Sequence, residues 1–444
     1  MDSYIAAIDL GTTKIVTLVG EKTESGFRIV AYRETPSKGV MRGEVVNIQY
    51  VLESLLPSLE DIKKKESIEI KEVYVGIAGQ NIKCLSQRER KNRGKADDLI
   101  SEAEMEEMIK NVLNSRVSAG EKILHVIPQS FNVDDHMGVE SACGMTGTLI
   151  EGDYKLFIGK LNSVEHSKHV INRAGLRLRE LILEPVASAK AVLTEDEMEL
   201  GVAMIDIGGG TTDLLIYHNN IIRHTAVIPF GGNAITEDLR QGCSVSIRNA
   251  EQMKIQYGSC YSEYAPENKT VIIPGIGGRD SREVAFRVIA GIIEARVEEI
   301  IEAIMYEIEN SGYMDKLGAG IVITGGGSQL TNLRQFIKVK TGYDARIASP
   351  VNNISFDTAP EICKPEFSTA IGLIMLGAEY EKSRTDTTPS CMTLFPDEVI
   401  VVDSDYEKSI GKTTKKEKTT RKRGAFGRFP AIIGSIFDNT NNEA

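Results

Sequence analysis

The six cysteines, Cys84, Cys143, Cys243, Cys260, Cys363 and Cys391, lie scattered and form no C-x-x-C pair. That removes the pattern of a disulfide framework and fits a reduced, cytoplasmic compartment. No apolar run approaches the ~18 residues of a membrane-spanning helix. The opening MDSYIAAIDLG is acidic and enters a strand at once, unlike a secretory signal. The expectation is a chain that does not cross a membrane. His166 and His169 stand three apart, but no Cys, Asp or further His completes a metal site with them.

What is present is a soluble, acidic body. At 444 residues the chain exceeds the ~250–300 at which one core stops growing, so at least two domains are expected. Its 41% apolar and 26% charged content is ordinary for a globular protein. The net charge of −11 is unevenly spread. Lys412 to Arg428 holds eight Lys/Arg against Glu417, a local +7, which leaves −18 on the rest. Such a body is unsuited to nucleic acid, and the basic tail alone points to an acidic partner.

The most informative pattern occurs twice. AIDLGTTKIVTLV (Ala7–Val19) and MIDIGGGTTDLLIY (Met204–Tyr217) each run an apolar strand into Asp, then Gly and Thr, then another apolar strand. Such hairpins expose backbone N–H groups that glycine lets approach an anion. Gly11, Thr12, Thr13 and Lys14 would grip one side of a phosphate chain; Gly208, Gly209, Gly210, Thr211 and Thr212 would grip the other. Asp9 and Asp206 would repel a nucleotide unless a cation stood between, so Mg²⁺ is expected, reached through water. Either hairpin alone reads equally well as an ordinary tight turn. The pair, each with Asp before and Thr after, favours a nucleotide held between two related domains.

Other segments could complete such a site. TGGGSQL (Thr324–Leu330) is a glycine-rich strand-to-helix turn, with Gly325, Gly326, Gly327 and Ser328 open to an anion or a base. GGNAITEDLR, containing Gly232, precedes AEQMKIQYG, where Glu251 and Lys254 share a helical face. These two could contact a ribose and adenine, or simply form a surface ion pair. Glu184 precedes Pro185 in LEPVASAKAVL. It could orient a water toward a terminal phosphate, or only stabilise a helix N-terminus.

Along the chain, strands are expected at Tyr4–Leu10, Ile15–Val19, Phe27–Ala31 and Glu72–Ile77, with a helix around Val51–Leu59 between the last two. From about Lys83 a charged turn, QRERKNRGKADD, leads into SEAEMEEMIKNVL, capped by Ser101 and Glu104. Strand-like segments follow at Ile123–Val133 and Lys155–Lys160. Residues 231–313 read as helical, and 381–423 as disordered linker.

The order of hairpin, E-P-x-A-S-A helix, TGGGS turn and late helix STAIGLIMLGA (Ser368–Ala378) resembles the actin and DnaK-type ATPase superfamily over roughly residues 4–380. Within it, the Lys83–Glu165 insert, EGDYKLFIGK before LRLRELILEPVASAKAVL, and the linker-plus-tail ending are similar to the FtsA family of bacterial cell-division proteins. The resemblance implies an α/β, actin-like ATPase fold: two related α/β domains around a nucleotide cleft, with an inserted α+β subdomain. The first domain would comprise residues 1–82, 166–198 and 360–380, with the insert at 83–165. The second would comprise 199–230 and 314–359, with the helical subdomain 231–313. It implies ATP and Mg²⁺ as ligands and self-assembly into short filaments. It also implies tethering of the FtsZ ring, whose C-terminal tail would dock on 231–313, while the insert meets other division proteins. No Asp base beside a substrate pocket marks a sugar kinase, so at most slow ATP hydrolysis through Glu184 is expected.

The tail GAFGRFPAIIGSIF follows RKR. Phe426, Phe429, Ile432, Ile433, Ile436 and Phe437 recur at helical spacing beside Arg421, Lys422 and Arg423. A helix over 424–437 would span roughly 21 Å, short of a ~30 Å bilayer core, so it would lie in the interface of an anionic membrane. The expected location is the cytoplasmic face of the membrane at the division septum. A pilus-assembly adaptor of the same superfamily and a DnaK-like chaperone are the competing readings. The latter needs a peptide-binding β-domain where some 60 residues remain.

Overall fold

The computed structural model describes residues 4–23, 26–94, 96–273, 280–350 and 360–385. Three strands, β1 (Tyr4–Leu10), β2 (Lys14–Thr23) and β3 (Gly26–Pro36), form an antiparallel meander. A short hairpin, β4 (Val40–Met41) and β5 (Glu44–Val45), leads to α1 (Ile48–Lys65). The Asn47 side chain caps that helix, which buries Val51, Leu55 and Ile62. Strand β6 (Glu72–Ile77) then lies parallel to β1.

The insert begins at β7 (Lys83–Asn92) and continues through α2 (Glu102–Leu113), β8 (Glu121–Val133), β9 (His136–Val139) and β10 (Leu149–Lys160). Its strands form their own sheet in the order β7-β10-β8-β9 over a separate apolar core that includes Met108, Val112 and Tyr154. The expected charged turn is thus partly a strand, since Gln87–Asn92 belong to β7. The strand is held at a sheet edge by cross-strand ion pairs, Arg88 to Asp153 and Arg90 to Glu151, so no apolar alternation marked it. The Ser101–Glu104 capping box forms. Helix α3 (Leu161–Arg173) and strand β11 (Arg177–Leu183), parallel to β6, close the first sheet in the order β3-β2-β1-β6-β11.

Helices α4 (Glu184–Val192) and α5 (Glu195–Leu200) carry the chain to a second sheet. There β12 (Val202–Ile207), β13 (Thr212–His218) and β14 (Ile221–Ile228) repeat the antiparallel meander. Helices α6 (Gly232–Gly242) and α7 (Ile247–Tyr257) follow, then β15 (Thr270–Ile273), β16 (Arg282–Ala285) and α8 (Phe286–Ser311). The region expected to be helical therefore also contains an antiparallel strand pair, β15 with β16. Helix α8 buries Ile289, Ile293, Val297, Ile300, Ile304 and Ile308, a stripe at three-to-four-residue spacing. Strand β17 (Ile321–Thr324), helix α9 (Leu333–Thr341) and strand β18 (Ala345–Ile347) complete the order β14-β13-β12-β17-β18.

Each five-stranded sheet is thus a meander of three strands with two further parallel strands beside the first. Finally α10 (Ser368–Thr385) returns to the first sheet and crosses α4. A Cβ on Gly372 would fall 1.8 Å from the Ala187 carbonyl oxygen, so only glycine allows this crossing. The helix runs to Thr385, past the expected start of the linker at 381. The remainder of that linker, the helix expected at 424–437 and residues Arg421–Phe437 lie outside the described residues.

Candidate functional site: two hairpins and a carboxylate cluster

The two repeats are the turns of β1–β2 and β12–β13. Register pairs Leu10 with Ile15, so Gly11–Lys14 form the first tip; it pairs Ile207 with Thr212, so Gly208–Thr211 form the second. The tips meet. A Cβ on Gly209 would lie 1.9 Å from Thr13 Oγ1, and one on Gly210 2.5 Å from Thr12 Oγ1. A side chain at 209 or 210 would have to displace Thr13 or Thr12 on the facing tip. Thr12 Oγ1 accepts a hydrogen bond from Gly43 N–H at 3.1 Å, and the Thr212 hydroxyl donates to the Phe230 carbonyl at 2.8 Å. Lys14 sits 3.2 Å from Glu34 and 3.6 Å from Glu366, its ammonium 3.8 Å from the Phe367 ring centre.

Behind the tips, carboxylates gather. Asp9 and Asp206 are buried, and so is Asp213, which register places directly opposite Asp206. Like charges facing across a strand pair are unfavourable unless something neutralises them. Burial, then the charge of Asp206, push the Asp9 carboxyl up to about 7, with Lys14 opposing. Burial first, then Asp206 and Asp9, hold Asp213 well above the usual carboxylate range. Partly buried Glu184, first residue of α4, is raised likewise by desolvation, then by Asp9, Asp213 and Asp206. Burial raises Asp206 too, but two donors counter it: Ser188 Oγ at 2.6 Å and Thr369 Oγ1 at 3.3 Å. Asp213 Oδ1 is buried without a hydrogen-bond partner.

The residues present therefore suit a divalent cation, which would relieve this mutual repulsion and satisfy the orphaned oxygen. Among the described residues, no three His, Cys, Asp or Glu groups converge closely enough to enclose a metal ion by themselves.

The other predicted residues flank the second hairpin on two sides. Gly232 N–H and Asn233 N–H donate to the Gly208 and Gly209 carbonyls at 2.9 and 2.8 Å, seating the start of α6 on the tip. Lys254 Nζ donates to the Gly232 carbonyl at 3.0 Å and pairs with Glu251 at 2.9 Å, and the Thr236 hydroxyl donates to Glu251. Gly232, Glu251 and Lys254 thus form one unit. On the other side, a Cβ on Gly325 would fall 2.2 Å from Asp206 Oδ1, and one on Gly327 2.3 Å from Ile207 Cγ2. Ser328 Oγ closes that turn by donating to the Gly325 carbonyl at 2.7 Å, while a Cβ on Gly326 would come 3.9 Å from Glu366 Cβ, an ordinary contact. Glu184 lies against β6, where a Cβ on Gly76 would come within 3.0 Å of Oε1. Beyond the tips opens a cavity of about 350 Å³, lined by Met41, Arg42, Phe230, Asn233, Asp238 and Arg296 among others. His166 Nδ1 lies 2.9 Å from the Val45 carbonyl oxygen, a structural contact.

Sequence reading missed Asp213, Ser188, Thr369 and Thr236. Asp213 had a signal: counting back across a four-residue tip pairs it with Asp206. The others are placed only by tertiary packing.

Two repeated sheets with apposed hairpins define an actin-like ATPase fold. Solved structures share it at low identity. The PilM-PilN type IV pilus biogenesis complex matches with TM-score 0.57 and 15% identity, over 84% of this chain and 98% of the other. MreB5 of Spiroplasma citri bound to ADP matches with TM-score 0.51 and 15% identity, over 86% and 98%. The family model "Cell division protein FtsA" matches residues 203–372, and "SHS2 domain inserted in FTSA" matches residues 79–158. The FtsA of Neisseria meningitidis is 35% identical over 381 residues, 85% of this chain and 91% of its own length. Those of Pseudomonas aeruginosa and Escherichia coli K12 are 31% and 30% identical, over 89% and 84% of this chain and 94% and 90% of theirs. The chain belongs to the family of the cell-division protein FtsA. The likeness to the pilus complex shows the shared fold alone.

Proposed function

We propose that this chain is an ATP-binding, actin-like adaptor that polymerises and tethers the FtsZ ring to the cytoplasmic face of the membrane at the septum. The observation that carries the nucleotide part is the meeting of the two hairpin tips over Asp9, Asp206 and Asp213, whose buried Oδ1 has no hydrogen-bond partner. Gly11–Lys14 and Gly208–Thr212 cradle the phosphates, and Glu251, Lys254 and Gly325–Ser328 flank the nucleoside. Asp9, Asp206 and Asp213 are the residues that would hold a Mg²⁺ ion at the cleft. Bound Mg²⁺ supplies charge neutralisation between carboxylates and phosphates. Ser188 and Thr369 donate to Asp206 and oppose the rise that burial imposes on its carboxyl. Glu184 orients a water; burial, then the charges of Asp9, Asp213 and Asp206, raise its carboxyl well above the usual range, which weakens it as a proton acceptor. Slow hydrolysis follows, as suits a structural adaptor.

Exposed Ile247, Ile255, Ile272 and Val288 give the 231–313 subdomain apolar surface for the FtsZ tail, and exposed Leu85, Leu99 and Met137 give the insert surface for other division proteins. The membrane part rests on the sequence 421–437. Sedimentation with anionic liposomes compares the full chain with one ending at Ser409. The full chain should pellet and the shortened one stay in solution; equal pelleting removes the membrane role. Calorimetry with Mg-ATP tests the cleft separately.

A further inference from the structure

The insert is rooted in the first half of the molecule yet leans on the second. Its β8 approaches β14, an edge strand of the second sheet. The Gln129 side chain clamps two consecutive residues there. Its Nε2 donates to the Ile222 carbonyl at 3.0 Å, and its Oε1 accepts from Arg223 Nη1 at 3.2 Å. Arg223 is itself fixed, donating to the His218 carbonyl at 3.1 Å with its guanidinium 5.8 Å from the Tyr313 ring centre.

Apolar packing backs the clamp. Ile222 of β14 belongs to the same continuous core as Leu124 and Phe157 of the insert, with Ile127 packed against it. At its root, the insert follows Ile77–Ile82, a segment bound to the β4–β5 hairpin: Asn81 Nδ2 donates to Glu44 Oε1 at 2.7 Å. That hairpin's Gly43 N–H holds Thr12 on the first phosphate tip. The insert therefore touches the first tip's support at one end and the second sheet at the other.

We propose that the insert is a mechanical bridge across the cleft, with Gln129–Arg223 as its joint, so that partner binding on the insert and closure of the two hairpins are coupled. A movement of one half against the other must either break the joint or carry the insert along. A partner that shifts the insert thus changes how tightly the tips meet, and occupation of the cleft changes the insert's placement. The consequence for ligand affinity rests on the nucleotide reading above; the joint itself does not.

Hydrogen–deuterium exchange on the full chain, without nucleotide and with Mg-ATP, compares wild type with Gln129→Ala and Arg223→Met. Each variant should quicken exchange at 221–228 and, at a distance, at 10–14 and 208–212, by about three- to tenfold for the loss of one clamp. Release of a fluorescent ATP analogue should quicken by a similar factor. Faster exchange confined to β8 and β14, with unchanged tips, overturns the coupling. If wild type binds no nucleotide, the ATP reading fails, while the nucleotide-free comparison still decides the bridge.

Discussion

Replacing Asp9 by Asn should stabilise the empty protein and disable it, in opposite directions from one substitution. Asp9 is only 9% exposed and faces other carboxylates, so its carboxyl sits at about 7 rather than 3.8. A carboxyl whose value is raised on folding contributes its full stability below about pH 4, and that stability is lost as pH rises to about 7. Ionising it in the folded chain therefore costs up to about 4 kcal/mol. Asn keeps the shape and removes the charge, recovering part of this, and a gain of 1–3 kcal/mol corresponds to a few degrees in Tm. In chelator at pH 8, Asp9→Asn should melt above wild type by that margin; the two should converge only as pH falls below about 4. With Mg-ATP the order should reverse, because only wild type gains binding stabilisation. Differential scanning fluorimetry across pH, with and without Mg-ATP, reads all three. A variant melting below wild type in chelator at pH 8, or one still raised by Mg-ATP as much as wild type, refutes the carboxylate-repulsion argument.

Ser188→Ala removes the 2.6 Å donor to Asp206, so that carboxyl should rise further and Mg-ATP affinity fall about tenfold in calorimetry, partly recovering as pH is raised. Gly76→Ala places a methyl group against Glu184; single-turnover hydrolysis should drop while nucleotide affinity changes less than about twofold. Gly372→Ala drives a Cβ into the Ala187 carbonyl and should cost about 1–3 kcal/mol, seen as a lowered melting midpoint without nucleotide.

The parts legible in the sequence were those with local causes. Both hairpins announced themselves because Asp, Gly and Thr at a turn leave a compositional mark within ten residues. The late helix was plain from its small and apolar residues. Strand β7 was not, because its neighbours across the sheet are ions rather than apolar side chains, and a charged edge strand looks like a loop. The β15–β16 pair was obscured in the same way, being short and largely exposed. Within the site, Asp206 stood out next to its glycines, but Ser188 reaches it from 18 residues away and Thr369 from 163. Such contacts follow from the α4–α10 crossing, which no local pattern encodes.

The placement of the insert has a consequence for solubility. A protein proposed to stack on copies of itself must not also pair through open sheet edges, since such pairing has no natural end point. The second sheet's β14 edge is partly occupied by the insert, and the opposite edge, β18, is only three residues long. On the first sheet, edge strand β3 carries Arg28 and Arg33, which are held in ion pairs with Glu21, Asp61 and Glu66. Orderly assembly is then left to side-chain surfaces, where register and length can be controlled. Loosening the insert would uncover part of the β14 edge and invite aggregation of a kind unrelated to filament growth.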